Sequence, residues 1–151
     1  SILTRKNLKG QVQVLSINGI SFKRYIEVWK AKKGLIYYNT YSLGIITDSD
    51  KSQTRIDEYK ALNEETKKVF IGITDITRRT FEIELIYSNK IYLETLFSRK
   101  DQALEDYMTE SNNKTKCALI LSDKIINSED EITVPPYIDD ILKKVIGDSY
   151  D

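Results

Sequence analysis

The residues best suited to chemistry in this chain begin with a pair of aspartates. Asp48 and Asp50 directly follow the apolar run LGIIT at 43–47 and are separated by one residue. Side chains alternate along an extended backbone, so both carboxylates are expected on one side, within reach of a common divalent ion. Mg²⁺ prefers oxygen ligands and often takes only one or two protein carboxylates, with water and phosphate completing its shell. Two acids in a solvated loop are the simpler alternative, because loops after strands are commonly polar.

A second acidic pair, Glu82 and Glu84, lies in TFEIEL at 80–85. Thr80 is placed to cap a helix here, and the helix dipole favours acids in a first turn, which is sufficient to explain Glu82. Glu84 is less well explained, since apolar residues surround it. Lys114 and Lys116 precede an apolar helical stretch, where a positive charge opposes the dipole and a functional role is plausible. Surface lysines lying over the core are the alternative.

The composition excludes several kinds of active site. The chain of 151 residues has no histidine and one cysteine, so it has no imidazole base, no Ser-His-Asp triad and no usual zinc ligand set. A single cysteine forms no internal disulfide, which favours a reducing cytoplasm. No apolar run approaches the roughly 20 residues that span a bilayer, so no membrane association is expected.

The charge distribution is uneven although the formal net charge is zero. Residues 1–40 hold eight Lys or Arg against one acid, Glu27, and the remainder is acidic. A basic segment of this kind fits contact with an anionic polymer, although charge runs are more often simply a solvated helix face. The candidates for contact with a DNA backbone are Lys23, Lys30, Lys32 and Lys33.

The elements that must position these residues follow from periodicity and turn signals. Apolar runs predict strands at 11–17, 43–47 and 69–74, with helices after the first two, from Ser21 to Gly34 and over 53–62. This order predicts an α/β fold with a parallel sheet and flanking helices. Beyond Thr80 the pattern is helical over 81–87, 91–97, 102–108, 116–126 and 137–146, and 110–113 is predicted to be a flexible loop.

Five motifs in order resemble the C-terminal Toprim region of OLD (overcoming lysogenisation defect) family nucleases, which include the Gabija-type phage-defence enzymes. They cover nearly the whole chain: VLSINGISFKRY at 14–25, GIITDSD at 44–50, TFEIEL at 80–85, KTKCAL at 114–119 and VPPYI at 134–138. The third is similar to the family's T-L-E-x-D-L, the fourth to K-G-R-F-A-L and the fifth to V-P-x-Y-I.

The resemblance implies a Toprim (Rossmann-like) core at 1–98, incomplete at its N-terminus, and a helical C-terminal extension at 99–151. It implies an Mg²⁺- or Mn²⁺-dependent endonuclease that hydrolyses DNA phosphodiester bonds in antiviral defence. Such an enzyme would be a homo-oligomer at full length and would lie in the cytoplasm of a bacterium or archaeon. The residues that would match the family's metal ligands and its phosphate-neutralising lysine, with one fallback lysine, are Asp48, Asp50, Glu82, Glu84, Lys114 and Lys116. Glu84 stands where the family has aspartate.

The chain also departs from the family. A complete Toprim domain opens with a strand and a glutamate in an E-G-x-x-E or E-G-x-x-D setting, and the only acid among the first 47 residues here is Glu27. The ATPase domain, through which the family uses ATP, is also absent. The chain is therefore expected to be part of a larger enzyme, weak or inactive without the missing ATPase/Toprim segment. Two alternatives are a docking module that completes a partner's nuclease site, and an unrelated D-x-D phosphotransferase.

Overall fold

A computed structural model gives the structure of the chain. It describes Val14 and residues 22–31, 42–65, 68–127 and 132–147, with the backbone alone at 28–31 and 63–65. The predicted strand at 11–17 therefore lies outside the described residues, apart from Val14. Across this part of the chain, no helix has both the length and the apolar character needed to cross a bilayer.

The described residues form a mixed α/β structure that is mostly helical, which confirms the predicted class. In chain order the elements are α1 (Phe22–Ala31), β1 (Leu43–Thr47), α2 (Gln53–Glu65), β2 (Val69–Ile73), α3 (Phe81–Ser88), α4 (Lys90–Phe97), α5 (Asp101–Thr109), α6 (Ser111–Asn127) and α7 (Pro136–Ile146).

The two strands pair in parallel, as their apolar sequences and the intervening helix predict. Leu43 pairs with Val69 and Thr47 with Ile73, so both strands end at the same edge of the sheet. One face of this sheet packs against α1 and α2 in a core that contains Phe22, Ile26, Ile45, Tyr59, Val69 and Ile71. Burial of this face fixes the register, because a slip by one residue would turn the apolar side chains outward.

Helix α7 packs on β1 and β2 through two glycines. A Cβ atom on Gly44 would lie 2.8 Å from the Cγ2 atoms of both Ile141 and Val145. A Cβ atom on Gly72 would lie 2.6 Å from Ile141 Cγ1 and 2.7 Å from the backbone oxygen of Tyr137. The absence of side chains at these positions therefore permits the close approach of α7 to the sheet.

Helices α3 to α6 build a second core beside the sheet, from Leu85, Ile86, Leu93, Phe97, Leu104, Met108, Cys117 and Leu121. Asn89, buried between α3 and α4, ties this core to the segment that precedes α7. Its side chain accepts a hydrogen bond from the Thr133 N–H (2.7 Å) and donates to the Thr133 carbonyl (2.8 Å). The division of the chain after residue 98 stays a prediction.

The predicted flexible loop at 110–113 is wrong, because α6 begins at Ser111 rather than near Lys116. The Glu110 carbonyl accepts hydrogen bonds from the N–H groups of Asn113 (2.9 Å) and Lys114 (3.1 Å), and the Asn113 amide donates to the Glu110 carboxylate (2.7 Å). The first turn contains no apolar residue, so hydrophobic periodicity gave no sign of it. Lys114 and Lys116 consequently lie within α6.

Candidate functional site

The carboxyl ends of the two strands are joined by a buried pair of hydroxyl residues. The Ser49 N–H donates to Thr74 Oγ1 (2.8 Å), and the Thr74 hydroxyl donates to Ser49 Oγ (3.2 Å). Ser49 is fully buried and Thr74 almost so. The two residues that flank Ser49, Asp48 and Asp50, are half-buried and exposed respectively. These hydrogen bonds join the two strand ends and hold the backbone from which the side chains of Asp48 and Asp50 extend.

Asp48 binds the first turn of α3. Its Oδ1 accepts a hydrogen bond from the Phe81 N–H (2.9 Å), across 33 residues of sequence. Thr80 occupies the N-cap position of α3 with an extended backbone, but its side chain makes no capping hydrogen bond, so the predicted cap is wrong. The carboxylate of Asp48 satisfies a backbone donor of the first turn instead, and the helix dipole favours negative charge there.

Glu82 lies in the same first turn and pairs with Lys114. Glu82 Oε1 is 3.0 Å from Lys114 Nζ, and the lysine side chain remains 43% exposed. Glu82 Oε2 is buried and has no hydrogen-bond partner among the described residues. One oxygen of the Asp48 carboxylate and one oxygen of the Glu82 carboxylate are each held by a protein group. Among the described residues, the other oxygen of each carboxylate has no hydrogen bond.

The other two predicted acids are paired with arginines. Asp50 Oδ2 is 2.5 Å from Arg55 Nη1, which also donates to the Asp48 carbonyl (3.1 Å). Glu84 Oε2 is 3.1 Å from Arg78 Nη1, and Glu84 Oε1 accepts a hydrogen bond from the Asp75 N–H (3.3 Å). The Glu84 side chain is only 5% exposed. These contacts give Glu84 a structural role, holding the loop between β2 and α3.

Tyr137 of α7 is a site residue that the sequence reasoning missed. Its hydroxyl is buried with no hydrogen-bond partner in the described part of the chain. Burial raises the pKa of this phenol well above its usual range, and the charges of Asp48, Glu84 and Glu82 raise it further. The hydroxyl therefore stays protonated and can donate a hydrogen bond. The only sequence signal was its place in the VPPYI motif, which suggested no role.

The pKa of Asp48 is raised above its ordinary value. Burial is the largest cause, and the nearby charges of Glu82 and Asp50 add to it. The hydrogen bond from Phe81 and the charge of Lys114 act in the opposite direction but do not cancel the increase. Ionising Asp48 in this partly buried position is therefore less favourable than in water, and a cation bound nearby would favour the ionised form.

The donor set fits a hard divalent cation such as Mg²⁺ or Mn²⁺. Three buried polar oxygens lack hydrogen-bond partners within the described ranges: Thr80 Oγ1, Glu82 Oε2 and the Tyr137 hydroxyl. The charge of Glu82 raises the pKa of Asp48, and the charge of Asp48 raises the pKa of Tyr137. Over the same ranges no group of three or more acidic or thiolate side chains converges as a ligand set. Two carboxylates are nevertheless compatible with Mg²⁺, which usually keeps several waters.

Among the predicted basic residues, the structure describes the side chains of Lys23, Lys114 and Lys116. Lys23 pairs with Glu58 (3.1 Å) on the α1–α2 side of the sheet. Of Lys30 only the helical backbone is described, and Lys32 and Lys33 lie outside the described residues. Lys116 is exposed on α6 and forms no ion pair with any described acid, whereas Lys114 contacts Glu82. Of the two lysines, Lys114 is therefore the one beside the carboxylates.

Comparison with family models, curated proteins and solved structures gives no match for this chain.

Proposed function

We propose that this chain is the Toprim part of a metal-dependent DNA endonuclease. The observation that supports the proposal most strongly is that Asp48, at the carboxyl end of β1, accepts a hydrogen bond from the first turn of α3, the turn that also carries Glu82. Each carboxylate is held through one oxygen, by Phe81 and Lys114 respectively, and its second oxygen has no hydrogen bond to any described residue. Ligands commonly bind outside the carboxyl ends of parallel strands in open α/β sheets.

Asp48 and Glu82 would hold the divalent cation. When bound, such an ion polarises a phosphate oxygen and lowers the pKa of its water, the chemistry that phosphodiester hydrolysis needs at neutral pH. Asp50 lies close enough to affect the pKa of Asp48, but its ion pair with Arg55 must loosen before it can become a ligand. Glu84 is buried in its ion pair with Arg78, so its role is to shape the α3 turn.

Two residues of other helices would bind the substrate phosphate. Lys114 is partly exposed, so its ammonium group can contact a phosphate oxygen while it stays close to Glu82. Fixed cations of this kind stabilise the charge that develops in phosphoryl transfer. The Tyr137 hydroxyl, held protonated by its surroundings, can donate a hydrogen bond to a phosphate oxygen or to a bound water.

The choice of DNA as the substrate follows from the resemblance to OLD family nucleases, as do the proposed defence role, the homo-oligomeric full-length enzyme and the use of ATP through a separate domain. The first Toprim glutamate has no counterpart in this chain. We therefore propose that the nuclease site is completed by a further segment of the same enzyme, and that the chain alone cleaves DNA weakly.

The test has two measurements, because metal binding and cleavage need not fail together. Mn²⁺ binding to the 151-residue chain is followed by electron paramagnetic resonance, and nicking of supercoiled plasmid is followed with Mg²⁺ or Mn²⁺. Asp48→Ala and Glu82→Ala should each remove saturable Mn²⁺ binding and any nicking. The control is Asp123→Asn, an exposed acid on α6 that is hydrogen-bonded only to Asn127 within its own helix. Mn²⁺ binding that is absent in the wild type, or unchanged in Asp48→Ala and Glu82→Ala, would contradict the proposal.

A further inference from the structure

A cavity of about 420 Å³, lined by polar and charged residues, opens on the α1–α2 side of the sheet. Its walls are the side chains of Lys23 and Arg24 from α1, and of Ser52, Thr54, Arg55, Glu58 and Tyr59 from the beginning of α2. Three of these side chains are cationic and one is acidic, so the lining carries a net positive charge. No acidic residue lies in the first turn of α2, where it would oppose an anion.

The donors in this cavity are not all occupied by protein partners. Lys23 pairs with Glu58 (3.1 Å) and Arg55 with Asp50 (2.5 Å), whereas Arg24 is exposed and forms no ion pair with any described acid. The Ser52 oxygen accepts a hydrogen bond from the Arg55 N–H (3.3 Å), which leaves the hydroxyl proton available to donate. One guanidinium group and at least one hydroxyl donor are thus available to a ligand.

Arg55 connects this cavity to the acidic site. Its guanidinium lines the cavity, and the same Nη1 atom donates to the Asp48 carbonyl (3.1 Å) and to the Asp50 carboxylate. A ligand in the cavity therefore lies directly beside the strand end that carries the candidate metal ligands. A polymer with regularly spaced anionic groups could occupy both places at once.

We propose that this cavity binds a phosphate group of a nucleic-acid strand, next to the phosphate that is cleaved. The inference about the cleaved phosphate rests on the proposed function, whereas binding in the cavity does not. Guanidinium groups and hydroxyls match the geometry and charge of phosphate oxygens. Tyr59 is only 4% exposed and packs edge-on against Phe22, so it offers no face on which a base could stack. Recognition here is therefore of the backbone, and it carries no sequence preference.

The experiment measures binding of fluorescein-labelled single- and double-stranded oligonucleotides to the chain in EDTA, so that divalent ions do not contribute. Arg24→Gln is the main variant, since it breaks no ion pair with a described acid and should leave the fold unchanged. We expect it to weaken oligonucleotide binding about tenfold for every sequence tested and to lower the salt dependence by about one charge. Arg55→Gln should weaken binding at least as much. Lys60→Gln, an exposed cation of α2 outside the cavity, is the matched control and should bind as the wild type does.

The outcomes separate this inference from the proposed function. If Arg24→Gln and Lys60→Gln bind equally well while Asp48→Ala still abolishes metal-dependent nicking, the cavity assignment is overturned and the nuclease proposal stands. If Arg24→Gln loses affinity as expected but no Mn²⁺ binds, the cavity stands and the nuclease proposal fails. Inorganic phosphate and pyrophosphate serve as competitors. Binding of these small anions without measurable oligonucleotide binding would refute a nucleic-acid strand as the occupant.

Discussion

Gly72→Ala tests whether the close packing of α7 on the sheet is as tight as the structure indicates. The new Cβ atom would lie 2.6 Å from Ile141 Cγ1 and 2.7 Å from the Tyr137 backbone oxygen, both far inside normal contact distance. A side chain can rotate away, but a helix carbonyl moves only if α7 moves. Overpacking of this kind costs about 1–3 kcal/mol, and we place Gly72→Ala at the upper end of that range. The loss of glycine's freedom in the unfolded chain returns about 0.4–1 kcal/mol, which leaves a net loss of about 2 kcal/mol.

Gly44→Ala is the matched control for Gly72→Ala. Like Gly72→Ala, it gains stability because alanine lowers the conformational entropy of the unfolded chain. Its Cβ atom, however, meets only the side-chain methyl groups of Ile141 and Val145, at 2.8 Å. We expect a loss of no more than about 1 kcal/mol at this position. Urea denaturation followed by circular dichroism measures both changes, and the melting temperature of Gly72→Ala should fall by about 4–8 °C. The packing argument is refuted if Gly72→Ala is as stable as Gly44→Ala, or more stable.

Four further predictions concern the site and its supports. Arg78→Ala should cost about 2–4 kcal/mol in urea denaturation, because it leaves the buried Glu84 carboxylate without its cation, and adding Glu84→Gln should restore part of that loss. Asn89→Leu should cost about 1–2 kcal/mol by removing two hydrogen bonds to the backbone of Thr133, whose polar groups can turn to water, and a neutral result would contradict this. Tyr137→Phe should leave stability unchanged or slightly higher, since the hydroxyl has no partner among the described residues, yet it should reduce nicking; a clear loss of stability would show that the hydroxyl is structural. In the folded wild type the pKa of Asp48 is raised, so the folded chain holds the Asp48 carboxyl proton more tightly than the unfolded chain does. Without divalent ions, the stability of Asp48→Asn relative to the wild type should therefore increase as the pH rises above 3.8. A stability difference that is flat or falls with pH would contradict the raised pKa.

The sequence predicted best those elements whose short apolar runs form buried strands. β1 and β2 are runs of this kind, and the predicted bounds of β1 agree with the structure. The start of α6 was missed because polar side chains of Glu110 and Asn113 form it through local hydrogen bonds. Local polar contacts decide where this helix begins, and hydrophobic periodicity contains no information about them.

The four candidate acids could be found from the sequence. Which of them pair with an arginine and which do not could not be predicted from it. Asp50 and Asp48 are the same residue type two positions apart, and only the fold places Arg55 against one of them. The spacing from Asp50 to Arg55 is five residues, and from Arg78 to Glu84 it is six, so neither pair matches the helical spacing that makes ion pairs readable from sequence. The same holds for Tyr137, which reaches the site only because two glycines let α7 approach the sheet.

The first turn of α3 brings groups of opposite charge to the carboxylates of Asp48 and Glu82. Asp48 accepts the Phe81 N–H and Glu82 is part of that same turn, so the helix dipole stabilises both negative charges. Lys114 supplies one full positive charge beside Glu82. Burial raises the pKa of Asp48 in spite of the Phe81 hydrogen bond and the charge of Lys114, so ionising this carboxylate in the protein costs free energy. A divalent cation bound beside Asp48 and Glu82 would offset that cost, because a nearby opposite charge favours the ionised form of a carboxyl group.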